Sequence, residues 1–117
     1  MPINAHIGSA SMNQPGTYQF SIENIVPDTA TQLLIYATAY SGNTRDPTTF
    51  IDISVFVFID EKRLTQHLFV IGYPQDAYNT NTDNMWFPVP SSKIINVQVP
   101  VGIPGISEFV LRAIGYC

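Results

Sequence analysis

Between Tyr73 and Trp86 the chain gathers most of the side chains it has for holding a polar ligand. Asp76, Tyr78, Asn79, Asn81, Asp83 and Asn84 fall in this one stretch, with an aromatic residue at each end. Carboxylates and carboxamides accept from and donate to hydroxyl groups. A tyrosine or tryptophan face covers the apolar C–H side of a pyranose. The pairing suits carbohydrate, and a polar loop on a rigid scaffold is where such a site is expected. The competing reading is that Asn, Asp and Thr here only make turns, with Tyr78 and Trp86 as buried anchors. Asp76, Asn79, Asn81 and Asp83 also offer hard oxygen ligands to calcium, although their spacing lacks the glycine and distal glutamate of an EF-hand loop. The expectation is a ligand-binding loop without a resident cofactor, calcium being the alternative.

Residues for catalysis are sparse. His6 and His67 lie far apart, with no His-x-His or Cys–His cluster to hold zinc. No Gly-x-Ser-x-Gly marks a nucleophile. Asp52 and Asp76 could be put forward as a carboxylate pair for glycoside hydrolysis, but any two acids would serve as well. His67, near Phe69, reads as a structural or interface histidine, and Asp52 as the partner of an arginine or a hydroxyl. We therefore expect no catalytic residues and no enzyme.

The elements that must position these side chains are strands. Phe50 to Ile59 is a long β-branched and aromatic run, Asp60-Glu61-Lys62-Arg63 is a solvated turn, and Leu64 to Tyr73 returns. Ile51, Ile53, Val55, Val57 and Ile59 share one face and belong in the core. The opposite face carries Phe50, Asp52, Ser54, Phe56 and Phe58. An aromatic face of this kind must be covered, by a loop or by another subunit, so Phe50, Phe56 and Phe58 are candidate interface residues.

Elsewhere the strand signals follow one another. Ile3 to Met12 reads as a short edge strand of small residues. Asn13-Gln14-Pro15-Gly16 is a turn, and Thr17 to Ile25 alternates with Tyr18, Phe20 and Ile22 on one face. Leu33 to Tyr40 also fits helical spacing, but its alternation and its neighbours favour a strand apolar on both faces. Pro74 to Asn84 reads as one extended loop. Met85 to Pro90 follows as a short strand that its prolines confine to an edge or a bulge. Ile94 to Val99 and Ile106 to Tyr116 complete about eight strands. Eight strands in 117 residues predict a single all-β domain, 1–117, an antiparallel β-sandwich of jelly-roll type.

Charged residues make up 12% of the chain, about half the usual share, beside seven phenylalanines and six tyrosines. Such a chain is expected to bury surface twice, in its core and against copies of itself, as a homo-oligomer. The net charge is −4, and Arg45, Lys62, Arg63, Lys93 and Arg112 are scattered, which argues against nucleic acid and anionic membranes as partners. No apolar run approaches the ~20 residues of a membrane span, and no secretory signal pattern opens the sequence. Cys117, the lone cysteine, has no internal partner and could pair only between chains.

Pro15-Gly16-Thr17-Tyr18-Gln19-Phe20-Ser21 resembles the Pro-Gly-x-Tyr-x-Phe strand of complement C1q-like domains, and Phe109-Val110-Leu111 loosely resembles their closing strand. The resemblance implies a C1q/tumour-necrosis-factor-like jelly roll acting as an extracellular recognition head, with a trimer as its assembly. Function is expected to be non-enzymatic extracellular recognition, with a glycan as the most plausible ligand. The rival is a structural module that assembles chains of a larger secreted protein and binds nothing small.

Overall fold

A computed structural model of the chain describes residues 1–42, 50–71, 78–102 and 106–117. Eight strands follow in order: β1 (Pro2–Ser11), β2 (Gly16–Ser21), β3 (Gln32–Gly42), β4 (Phe50–Ile59), β5 (Lys62–Ile71), β6 (Tyr78–Pro88), β7 (Ile94–Val99) and β8 (Ile106–Tyr116). They form two four-stranded antiparallel sheets, β1-β8-β3-β6 and β2-β7-β4-β5. Partners are nested from the outside in, β1 with β8, β2 with β7, β3 with β6 and β4 with β5. One long hairpin rolled up on itself gives this order, which is the jelly roll. No helix occurs among the described residues.

The core lies where the alternating apolar faces meet. Ile53, Val55 and Val57 of β4, Ile95 and Val97 of β7, Leu33, Ile35, Ala37 and Ala39 of β3 and Leu111 of β8 are all within 1% of complete burial. Phe109 of β8 is held edge-on by Tyr18 and Phe20 of β2, at centroid distances of 5.5 and 5.9 Å. Phe20 also reaches β1, where a Cβ on Gly8 would collide with its ring. Only glycine lets the sheets close at that point.

Besides register shifts between Pro2 and Ala5 in β1 and between Leu34 and Ile35 in β3, two features depart from the expected pattern. In β1 the register to β8 shifts between His6 and Gly8, leaving Ile7 as the extra residue of a bulge. The bulge exchanges the two faces, so that Ile3, Ala5 and Ile7 turn inward before it and Gly8, Ala10 and Met12 after it. The second departure is β6. The expected loop from Pro74 to Asn84 gives way to strand from Tyr78 onward, continuous through Met85 and Trp86 to Pro88. Each residue from Tyr78 to Pro88 has a partner on β3, from Gly42 to Gln32. Backbone pairing to an apolar neighbour makes this polar segment a strand, and its proline stands at the end of an edge strand, where no ladder donor is missed.

The Asp60-Glu61 turn between β4 and β5 has two residues, both left-handed, with φ of 50° and 66°. This is the type I′ pattern that fits the twist of a hairpin, reached here without glycine.

Candidate functional site

Strand β6 divides the residues that the sequence places in one site. Asn84 and Trp86 project from the outer face of the β1-β8-β3-β6 sheet, both exposed. Asn81 and Asp83 alternate to the inner face, beyond the point where Met85 and Phe87 close the core, and they remain partly or fully exposed there. Tyr73 and Asp76 lie outside the described residues, as do the side chains of Tyr78 and Asn79. Asn81 and Asp83 thus lie on the side opposite to Trp86, and from Tyr78 onward the stretch is strand. Among the described residues no three His, Cys, Asp or Glu side chains gather at metal-ligating range. Asp76, one of the four candidate calcium ligands, lies outside that set.

What joins Trp86 instead comes from other strands. Register pairs Leu34 with Trp86, and Tyr36 with Asn84 on one side and Arg112 on the other. Arg112 pairs in turn with His6. The result is a row straight across the sheet, His6–Arg112–Tyr36–Asn84, with Trp86 and Leu34 in the adjoining row. Trp86 is 51% exposed and Tyr36 38%. They stand diagonally on neighbouring strands, a spacing of roughly 7–8 Å that aromatic side chains bridge easily. Arg112 is oriented by the Asn4 side chain, whose Oδ1 accepts from Nε at 3.1 Å and from the terminal nitrogen at 2.6 Å. Farther along the face, the Tyr40 hydroxyl donates to Glu108 Oε2 at 3.1 Å.

The arrangement is a shallow platform rather than a cleft. Two bare aromatic faces supply apolar contact, the Asn84 amide supplies a donor and an acceptor, and the Arg112 guanidinium supplies donors. The Leu34 side chain fills the surface beside Trp86 and itself lies over Gly115, 3.7 Å from where a Cβ would stand.

The other outer face treats its aromatics differently. Phe56, one of the three candidate interface residues, is only 5% exposed. Its cover is the chain's own Arg63, whose guanidinium carbon sits 3.7 Å from the ring centroid. Arg63 is fixed by donating to Thr65 Oγ1 at 3.0 Å and Gln98 Oε1 at 3.2 Å. Phe58 packs edge-on against Phe56 at 5.6 Å yet stays 51% exposed. The Phe50 side chain lies outside the described portion.

On the same face Asp52 is paired with His67, Nδ1 to Oδ1 at 2.8 Å, in place of an arginine. Both are well exposed, at 50% for His67 and 41% for Asp52. Ser54 stands opposite His67 in the register, so Asp52, Ser54 and His67 share a flat, open surface. Catalysis by such a trio requires a converging set of oxyanion donors and exclusion of water, whereas the His67 and Asp52 side chains are open to solvent.

Sequence reasoning singled out Asn84 and Trp86 but not Tyr36, Arg112 and His6, which the register sets beside them. The only signal for Tyr36 was the second apolar face of its strand. Arg112 and His6 carried none, because register alone brings them together. Compared with known proteins, the chain matches no family model and no curated protein.

Proposed function

We propose that this protein is a non-enzymatic recognition module that binds carbohydrate on the outer face of the β1-β8-β3-β6 sheet. The observation that carries the reading is the pair of exposed aromatics, Trp86 and Tyr36, set diagonally on adjacent strands with Asn84 and Arg112 beside them. Their ring faces stack on the C–H side of sugar rings, and the flanking amide and guanidinium bond to hydroxyls. A flat platform accommodates an extended oligosaccharide better than a buried monosaccharide. Shallow sites of this kind bind weakly one at a time, so display of several copies in a homo-oligomer, on ligands outside the cell, raises avidity without new contacts.

Trp86 is the sole tryptophan, so intrinsic fluorescence reports on this platform without labels. Titration with defined oligosaccharides of glucose, galactose, mannose and N-acetylglucosamine is expected to give a saturable change in emission for at least one series. Tyr36→Ala and Asn84→Ala should weaken that change while leaving the melting temperature near that of the parent. A flat titration with every series, on folded protein, overturns the reading.

A further inference from the structure

The Phe56–Arg63 contact has a counterpart one step along β4 that carries no cation among the described residues. At Phe56 a guanidinium lies on a phenyl ring and donates to a side-chain amide and a hydroxyl. At Phe58 the ring is 51% exposed, and amides and hydroxyls again surround it. Phe58, Gln19, Asn96, Ser91, Ser92 and Ile94 line a groove of about 640 Å³. Asp60 and Glu61 also line it and add two carboxylates that the Phe56 site does not have.

Among the described residues no cationic side chain fills this groove. Arg63 is the cross-strand partner of Phe58, but it leans diagonally to Phe56 and is held there by Thr65 and Gln98. Lys62 pairs with Ile59 and so projects from the other face. Lys93 adjoins Ser92, but it does not line the groove. Asp60 and Glu61 line the groove from the left-handed turn, and a ring face, an amide acceptor and negative charge together are complementary to a guanidinium.

We infer that the groove beside Phe58 receives an arginine side chain from a partner peptide, by the same chemistry that seats Arg63 on Phe56. The site lies on the opposite sheet from Trp86 and is independent of the glycan reading. Its position at the β4–β5 and β6–β7 turns makes it a second, separate point of attachment.

The test is NMR titration of the full chain at low salt with acetyl-Gly-Arg-Gly-amide, and with the neutral peptide carrying citrulline in place of arginine. The arginine peptide should give saturable shifts confined to Phe58, Gln19, Ile94 and the Asp60-Glu61 turn. The citrulline peptide should bind at least about tenfold more weakly, since both the charge and the cation–π contact are gone. Phe58→Leu keeps apolar volume without the ring face and should weaken the arginine peptide by about as much. Asp60→Asn with Glu61→Gln should weaken it severalfold and flatten its salt dependence, because exposed charges are screened. Equal binding of both peptides, or no effect of Phe58→Leu, overturns the proposal. So do shifts at these residues on simple dilution without peptide, which would show that a second copy of the chain occupies the groove.

Discussion

The two outer faces of the sandwich pose the same physical problem and solve it in different ways. Each carries aromatic residues at positions that alternation turns away from the core. On the β2-β7-β4-β5 sheet the ring of Phe56 is covered from within the chain, by Arg63 anchored at both ends, and it becomes as buried as a core residue. On the β1-β8-β3-β6 sheet Trp86 and Tyr36 are left bare. Arg112, a cation on that face, is drawn toward Asn4 on the far side of its strand. An aromatic on a solvated face is therefore structural where the chain supplies a lid and available where it does not. Sequence alternation cannot distinguish these cases.

The sharpest break of this comparison is Phe56→Ala against Trp86→Ala. Losing Phe56 removes a buried ring and strands Arg63, so chemical denaturation should show a loss of ~3–5 kcal/mol. Losing Trp86 should leave stability within about 0.5 kcal/mol, as for surface positions without buried partners. Equal losses would mean that both rings are structural.

Gly8→Ala tests the sheet-to-sheet closure that both faces depend on. Its new methyl group meets the ring of Phe20, which is pinned edge-on by Phe109, so a loss of about 1–3 kcal/mol is expected from overpacking. Arg63→Ala should cost about 1–2 kcal/mol by uncovering Phe56 and releasing its hydrogen bonds, whereas Arg112→Ala should change stability little and act on ligand binding. The smallest effect has the opposite sign. Glu61→Gly relieves a left-handed side chain in the hairpin turn and creates the Asp-Gly pair that such turns favour. A gain of roughly 0.5–1 kcal/mol in thermal or chemical melts should follow.

Much of the fold was legible because most strands obey the two-residue period. The β4 boundaries, Phe50 and Ile59, and those of β7 and β8 emerge directly from alternating apolar residues. The limits were equally physical. In β1 the bulge at Ile7 exchanges the faces halfway, so no single period describes it. In β6 the residues from Asn79 to Asn84 are all polar. Their strand conformation comes from β3, whose apolar inner face fixes its own position and offers a free edge. Local sequence carries no trace of that partner.

The candidate platform was legible only in part, for the same reason. Trp86 and Asn84 attract attention through residue type, but a platform is a property of register across strands. Tyr36 lies opposite Asn84 and Arg112 opposite Tyr36 only because β3 is flanked by β6 and β8. Grouping by nearness in sequence instead placed Asn81 and Asp83 with Trp86, and alternation separates them.

The central claim, that the bare face of the β1-β8-β3-β6 sheet binds glycans through Trp86, is tested most directly on a glycan array. The parent protein, Trp86→Ala and Phe58→Leu should be run side by side, each with its fold verified by melting. The account predicts a defined set of glycans bound by the parent, retained by Phe58→Leu and lost by Trp86→Ala. A blank array for folded parent protein, or binding that survives Trp86→Ala, would contradict it.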